Sequence, residues 1–549
     1  MIKLSRENYW PVLVISAAVL LVFGWSVSFG FLYYDDHIHV FENQPLIKGE
    51  ILYFWKHAHE GLYIPLVYSA WALLYKFFGL NPAVFHGLNV VLHIANSWLV
   101  FLLLRSFRMT LSSSVLAALL FAVHPVQVES VAWVSALKDT SFAFFTLLSL
   151  WVYFSSSFTG HRKWLAGTLL VSAAILCKPT AVVLPVLISI YFIYFAAGNI
   201  RDRLKNTWNS VGPMPLTLFL GLYAIQMAKT EQSWSQHPNA MVSLLERPLI
   251  MLDALGFYIT KILLPSQHYV DYARFPRNVL DNKLYYFYVA LAVVFLIVLA
   301  GWFRKNENRR SPEAVFAVLL GFMFFIPTSG IVTFGHQKIS TTADRYMYMI
   351  MVAVAIFAAM LLEWIQASGF RRSANKIAAI ILFGLGAFSF MQLINWKDIS
   401  LFTENLYEGN PNNYFANRNF GLINQLKGND EKALEYFKRA DAIDPSHLSA
   451  KAAIASLYFN RRDYENLDRF VEQNLTEEKL ASLQQTPYET HAFFMAIAES
   501  YIERKNYGKA MAYLCKAKRL NVGQFAGEVA AKIDSVKKLD AEAGSQCVN

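Results

Sequence analysis

The chain has 549 residues, of which 55% are hydrophobic and only 16% charged. That balance is too apolar for a soluble protein and points to a polytopic membrane protein. The formal net charge of +10 would suit a nucleic-acid binder, but the basic residues cluster in short loops between apolar runs, where membrane topology explains them and no nucleic acid is needed.

The first apolar run, 10–32, follows Lys3 and Arg6. It is too long for a signal-peptide core and no small-residue cleavage site follows it, so it reads as an uncleaved first membrane helix. Directly after it comes Tyr33-Tyr34-Asp35-Asp36-His37-Ile38-His39. Ionised groups at the edge of hydrocarbon are costly. Taken alone, the doublet Asp35-Asp36 still reads first as the water-facing flank of a membrane helix.

Further apolar segments near the roughly 20 residues of a crossing lie at 84–104, 112–124, 139–157, 163–178, 179–197, 212–228, 284–303, 313–328, 346–366 and 375–395. The run 248–264, with Pro248, Asp253 and Lys261, reads as a re-entrant or interfacial helix. Basic residues then fall on alternate connections: Lys3 and Arg6; Arg105 and Arg108; Arg162 and Lys163; Arg201, Arg203 and Lys205; Arg304, Lys305, Arg309 and Arg310; Arg371, Arg372 and Lys376. The positive-inside rule makes these cytoplasmic, giving about eleven crossings with the N-terminus inside and the C-terminus outside. Asp35-Asp36, His124-Pro125, Glu129, Lys138-Asp139, Lys178-Pro179, His237 and the stretch 336–345 all fall on the outer side.

After Trp396 the composition turns polar, and a repeat emerges. Gly421, Ala433, Phe437, Ala440 and Pro445 match the spacing of a tetratricopeptide unit. Ala455, Tyr458, Tyr464 and Leu467 continue it. After an insertion around 476–488, Ala498, Tyr501, Tyr507, Ala510, Leu514 and Ala517 form a third unit. Small residues at these places let paired helices pack closely and stack into an array that binds protein or peptide. The expected fold is therefore all-α: a transmembrane helix bundle over 1–396, then a soluble tetratricopeptide-repeat α-solenoid over 397–549. The cysteines Cys177, Cys515 and Cys547 form no spaced metal set. Cys515 and Cys547 could pair, and no disulfide framework is assigned.

Several residues could carry chemistry. His86, Asn89, His93 and Asn96 make one polar stripe on the second crossing; such stripes usually hydrogen-bond neighbouring helices, and a role for His86 in lining a donor site stays open. Pro125 should stop the helix before it and let the following residues fold over the bundle mouth. There His124 and Glu129 form either a stiffening hydrogen-bonded pair or a catalytic dyad. Lys138 and Asp139 either cap one another or face a cavity. Lys178, nearly loopless between two apolar segments, must snorkel or meet an anion. His336, Lys338 and Arg345 concentrate cations in the last outer loop, where an Asp344–Arg345 pair would order an arginine whose planar fork suits phosphate. Outer-face carboxylates with cations at membrane depth suit sugar transfer from a lipid-linked phosphate: the lipid needs a membrane groove, the phosphate needs Lys or Arg, and the acceptor hydroxyl needs a carboxylate base. No P-loop, dinucleotide fingerprint or zinc motif competes.

In order, the acidic doublet, Tyr63-Ile64-Pro65-Leu66, His124-Pro125, Val128-Glu129-Ser130-Val131-Ala132-Trp133, Lys138-Asp139, Lys178-Pro179 with Leu184-Pro185, and Ala343-Asp344-Arg345-Tyr346-Met347-Tyr348 precede the repeats. This series resembles the transmembrane and tetratricopeptide-repeat-containing O-mannosyltransferases and their bacterial relatives, in the GT-C superfamily of membrane glycosyltransferases. The resemblance implies inverting transfer from a polyprenyl-phosphate sugar to a hydroxyl acceptor, protein or glycan, held by the repeats on the outer face of a membrane, here a bacterial inner membrane with periplasmic repeats. It implies Asp35 or Asp36 as base, and Arg345 and Lys178, with His336 and Lys338 nearby, on the donor phosphate. His124, Glu129, Lys138, Asp139, Tyr63 and His86 would line the cavity or its lid. The Tyr-x-Pro-Leu motif departs from the family, which often carries arginine where Ile64 stands. No cofactor is implied, while a divalent metal at Asp35-Asp36 stays open. Two other readings remain: a non-enzymatic membrane-anchored repeat scaffold, and a lipid-linked oligosaccharide ligase.

Overall fold

The structure, a computed structural model, describes residues 9–155, 158–229, 241–266, 268–282, 284–305, 311–445, 447–474, 487–519 and 526–540. Lys3, Arg6, His237, Arg309, Arg310, Cys547 and nearly all of the insertion at 476–488 lie outside the described residues. Those described form helices and turns, with one isolated β-bridge between His59 and Leu62 and no strand. They divide into two compact units, Met1–Phe402 and Thr403–Asn549.

In the first unit each expected apolar run is helical over most of its length, because a segment in hydrocarbon must satisfy its backbone internally. Four helices among the described residues are long and apolar enough to cross a membrane: Tyr9–Ser28, Pro82–Ser106, Tyr285–Arg304 and Ile350–Trp396, the last interrupted at Gly369 with φ +88°. Two bent pairs, Leu111–Val123 with Pro125–Ala132 and Ile200–Val211 with Met214–Ala228, pass the same test together. Helix length alone thus accounts for four to six of the eleven expected crossings. Shorter apolar helices cover Pro179–Phe195 and Pro312–Thr328. Leu21, Ile297 and Phe383 expose most of their side chains, as lipid-facing residues do.

The helix Pro82–Ser106 organises the interior. Its polar stripe faces inward and is fully buried. Asn89 donates to the Trp133 carbonyl at 2.8 Å and accepts from Thr140 Oγ1 at 3.0 Å. His93 lies 2.7 Å from the Tyr348 hydroxyl and 2.9 Å from the Ala122 carbonyl. Asn96 reaches the Thr140 carbonyl and Tyr348. A buried polar group keeps its place when its hydrogen bonds are made, so this stripe fixes two segments, 133–140 and 344–348, against each other. That is the structural role expected for it.

Pro125 does stop its helix: Leu111–Val123 ends at His124, and the chain turns by 52° into the short helix Val128–Ala132. The segment 121–136 is wholly buried. Helix Arg247–Leu263 packs on Leu284–Lys305 with Gly256 at the crossing, where a Cβ would stand 1.9 Å from the Tyr288 carbonyl oxygen.

The second unit contains the helix pairs Tyr414–Leu426 with Asp430–Ile443, Leu448–Asn460 with Tyr464–Asn474, and Pro487–Glu503 with Tyr507–Arg519, followed by Ala526–Leu539. Phe437, Leu448, Ile454, Leu467, Phe493 and Ile497 share one core. Gly421 packs against the Phe437 ring, where a Cβ would come within 2.5 Å. The three repeat units stand where the small-residue spacing placed them.

Candidate active site

The two aspartates of the first loop have different surroundings. Asp36 is fully buried. Its Oδ2 accepts from the Leu32 amide at 2.9 Å, and its Oδ1 accepts from the Ser135 amide at 3.0 Å and the Ser135 hydroxyl at 2.5 Å. Burial lifts its carboxyl to about 6, opposed by the Ser135 and Leu32 bonds. Asp35 is only partly buried, and among the described residues no hydrogen bond engages its carboxylate. Burial raises it too, while the charges of Lys138, Arg345 and Lys338 pull it back down. Asp36 is thus spent on holding the loop to Ser135, and Asp35 is the available carboxylate.

The segment 128–139 supplies a partner to each important charge. Ser135 holds Asp36, and its carbonyl accepts from Lys138 Nζ at 2.7 Å. Lys138 also lies over the Trp133 ring, 4.8 Å from its centroid; burial lowers its ammonium, countered by Asp139 and Asp35. Glu129 forms an ion pair with Arg345 through one oxygen and accepts the Arg345 amide at 2.9 Å through the other. Asp139, in the first turn of Leu137–Phe154, pairs with Lys178. A guanidinium has five donors, so Arg345, docked through Nη1, keeps Nη2 toward the Tyr346 hydroxyl at 3.4 Å. Lys178 and Arg345 then line one cavity together with Asp139, Tyr346, Phe142 and Phe324.

These pairings correct three local expectations. His124 and Glu129 do not pair: His124 Nε2 lies 3.2 Å from the Ile262 carbonyl, and Glu129 is committed to Arg345. Asp344 does not pair with Arg345 but takes His268 at 2.5 Å and the Tyr272 hydroxyl at 2.9 Å. Burial would raise the Asp344 carboxyl, yet His268, Lys261 and Tyr272 outweigh it and hold it below the usual carboxylate range. Lys138 and Asp139 do not cap one another, because each has the partner just named. The three carboxylates share one reason: each meets a cation from another segment, Glu129 taking Arg345, Asp139 taking Lys178 and Asp344 taking His268.

The remaining expected residues lie elsewhere. His336 and Lys338 sit in the turn Gly335–Lys338, outside the cavity lining. The His336 imidazole is lowered by burial and by Arg345, Lys338 and Lys138. Tyr63 donates to the Trp55 carbonyl at 3.0 Å, and His86 lies 3.3 Å from the Gly30 carbonyl. Sequence reasoning missed Ser135, the His268–Asp344–Tyr272 cluster and the buried Asp253–Arg274 ion pair. A serine carries no signal of its own. The Asp253–Arg274 pair was foreshadowed only by an aspartate standing inside an apolar run.

Apolar outward faces around a buried set of ion pairs, followed by stacked helix pairs, define a multi-pass membrane protein carrying a repeat domain. Comparison with known proteins agrees with that class. The sequence family Tetratricopeptide repeat matches residues 419–447. The chain is similar to Protein O-mannosyl-transferase TMTC3 of Mus musculus, 24% identical over 510 residues, covering 85% of this chain and 54% of the relative. The Homo sapiens TMTC3 aligns equally, 24% identical over 508 residues with the same coverages. Protein O-mannosyl-transferase Tmtc1 of Drosophila melanogaster is 29% identical over 193 residues, 33% of this chain and 22% of the relative. The chain spans about half the length of the TMTC3 relatives it matches. Among solved structures it aligns with ArnT from Cupriavidus metallidurans bound to undecaprenyl phosphate, at TM-score 0.39 and 14% identity over 79% of this chain and 76% of that one. It also aligns with the Archaeoglobus fulgidus oligosaccharyltransferase tethered to an acceptor peptide, at TM-score 0.40 and 15% identity over 78% and 59%. The resemblance carried by the ordered motifs is borne out: the curated relatives are O-mannosyl-transferases of the TMTC type.

Proposed function

We propose that the chain is a membrane glycosyltransferase that moves a sugar from a polyprenyl-phosphate donor to a hydroxyl of a protein acceptor on the outer face of the membrane. Asp35 takes the proton from the acceptor hydroxyl, whose oxygen attacks the anomeric carbon. The bond from that carbon to the phosphate oxygen breaks with inversion, and Arg345 and Lys178 receive the anionic lipid phosphate. The carrying observation is the cavity lined by both Lys178 and Arg345, each held in place by a carboxylate. A cation fixed before the reaction costs no reorganisation when charge develops on the leaving group.

The division of labour between the aspartates supports the same reading. A general base needs an oxygen free to meet substrate; Asp35 has one, and Asp36 has both of its oxygens taken by protein donors. The same occupancy argues against the doublet as a metal site, and the proposed reaction uses no metal. The names of the curated relatives agree with sugar transfer. The repeats present the acceptor, as such arrays bind extended peptides. Cys515 is disulfide-bonded, which fits an oxidising compartment for the repeats.

The test is transfer by purified Asp35→Asn and Asp36→Asn proteins, assayed with a polyprenyl-phosphate sugar and monitored for folding. Asp35→Asn should fold normally and lose at least about a thousandfold in turnover, the scale expected when a base is removed. Asp36→Asn should lose stability along with activity. Full transfer by Asp35→Asn would sink the base assignment.

A further inference from the structure

The helix Ile200–Val211 lies outside the candidate active site and turns an apolar face outward. Ile200, Leu204 and Trp208 are each more than half exposed, and they follow one another at the four-residue spacing that puts side chains on one face. At about 100° per residue, Arg201 and Lys205 fall on one flank of that stripe and Arg203 on the other, while Asp202 and Asn206 fall opposite it. The single carboxylate is also occupied, since Asp202 accepts the Asn199 amide at 3.3 Å in the capping box that starts the helix. The stripe is thus edged by cations on both sides, and the acidic residue is kept away from it.

Short tethers fix where this helix sits. Four residues, 196–199, join it to the apolar helix Val183–Phe195, and Gly212-Pro213 leads on to the apolar helix Thr217–Lys229. Four extended residues reach roughly 14 Å at most, so the helix stays beside the ends of two apolar helices. Its 84° bend against Met214–Ala228 lays it across that helix and not along it. A third apolar helix, Gly160–Cys177, holds it from beneath. There Trp164 Nε1 donates to the Asn209 carbonyl at 3.1 Å, and the Trp164 ring fills the space beside Gly212, where a Cβ would stand 2.4 Å away. Arg162, exposed at the start of the same helix, brings a further cation to this end. A bilayer interface answers each of these features: aliphatic side chains enter the acyl region, tryptophan sits at headgroup level, and long basic side chains reach up to phosphate. Neutral headgroups would satisfy the stripe alone, whereas the excess of Arg and Lys over Asp selects a negative surface. We infer that Ile200–Val211 docks on anionic phospholipid headgroups, lying in the interface with Leu204 turned into the bilayer and Asn206 turned to water.

The test uses the full chain in lipid discs of phosphatidylcholine alone or mixed with phosphatidylglycerol. A spin label is attached to Leu204→Cys or to Asn206→Cys, since Cys177 is buried and Cys515 is disulfide-bonded. Collisions with oxygen, which dissolves in the bilayer, are compared with collisions with a water-soluble nickel chelate. The oxygen-to-nickel ratio should be several-fold higher at 204 than at 206, and it should rise further at 204 when phosphatidylglycerol is present. The charge variant Arg201→Gln, Arg203→Gln, Lys205→Gln should lose that response to phosphatidylglycerol while the label at 204 still favours oxygen. Replacing the same two arginines by lysine keeps the charge and should keep the response. A label at 204 as open to nickel as the one at 206 would overturn the inference and leave this face to a soluble partner. The same depth at 204 in both lipid mixtures, or an undiminished response in the charge variant, would overturn the anionic preference. The comparison of the two mixtures with native charges decides the matter even where the charge variant fails to fold.

Discussion

Lys138 sets the charge around the proposed base, although it touches neither the lipid phosphate cavity nor Asp35 by a hydrogen bond. Its ammonium is tethered to the Ser135 carbonyl and rests on Trp133, and of the three cations that draw the partly buried Asp35 carboxyl back toward ionisation it acts most strongly. The base works only when deprotonated, so turnover should fall as pH drops through the Asp35 value, which burial has lifted above the ordinary carboxylate. In Lys138→Met that support is gone, the carboxyl rises further, and the acid limb of the kcat/KM profile should move to higher pH. One pH unit of displacement corresponds to about 1.4 kcal/mol. A profile that loses height without moving would assign Lys138 to structure alone. Candidate residues at this scale were legible by type: a carboxylate doublet, a lone membrane-depth lysine and an arginine opening a helix. Their partners were not, because Arg345 meets Glu129 across 216 positions and Lys178 meets Asp139 across 39. Sequence neighbours such as Asp344 offered a nearer and wrong answer.

Elements were more legible than contacts, for reasons of length and period. A long apolar run has one stable backbone in lipid, so the helices of the first unit could be placed within a few residues. Pro125 marked the turn that carries Glu129 and Ser135 into the site. The helices Gln44–Ile47, Ile51–Lys56 and Pro65–Phe78 carried no comparable signal, being brief or amphipathic without repeat. In the repeats the decisive cue was a glycine facing an aromatic one helix away. Gly421 lets the Phe437 ring lie flat against its helix, and Phe437 is 1% exposed in a shared core. Gly421→Ala must push that ring out of its place, and overpacking of this kind costs about 1–3 kcal/mol. Urea unfolding of the full chain should therefore show the repeat-unit transition at lower denaturant. Binding of polyprenyl phosphate, which belongs to the first unit, should stay at the wild-type level. A repeat transition unchanged within error would contradict the packing argument.

At the scale of the whole molecule, orientation decides whether the chemistry and the repeats can serve one reaction. On the expected crossings, Arg105 and Arg108, Arg162 and Lys163, Arg201, Arg203 and Lys205, and Arg371, Arg372 and Lys376 recur on alternate connections, while Asp35, Lys138, Lys178 and Arg345 occupy the others. One connection carries an independent mark. The helix Ile200–Val211 meets the next at 84° and exposes Ile200, Leu204 and Trp208 along one stripe, with Arg201 and Lys205 beside it. A helix of that kind lies in the plane of the interface with its basic residues among anionic headgroups. Single cysteines at Arg201, on this helix, and at the exposed Leu426 of the repeats would report the two sides in whole cells, since Cys177 is buried and Cys515 is already oxidised. A membrane-impermeant maleimide applied from outside, with the outer barrier opened, should modify the cysteine at 426 and spare the one at 201 until the membrane is permeabilised. Labelling of 201 first would invert the topology, and with it place Asp35 and the lipid-phosphate cavity on the cytoplasmic side. Labelling of both from outside would mean an even number of crossings between 211 and 403, and would overturn the expectation that 248–264 does not cross.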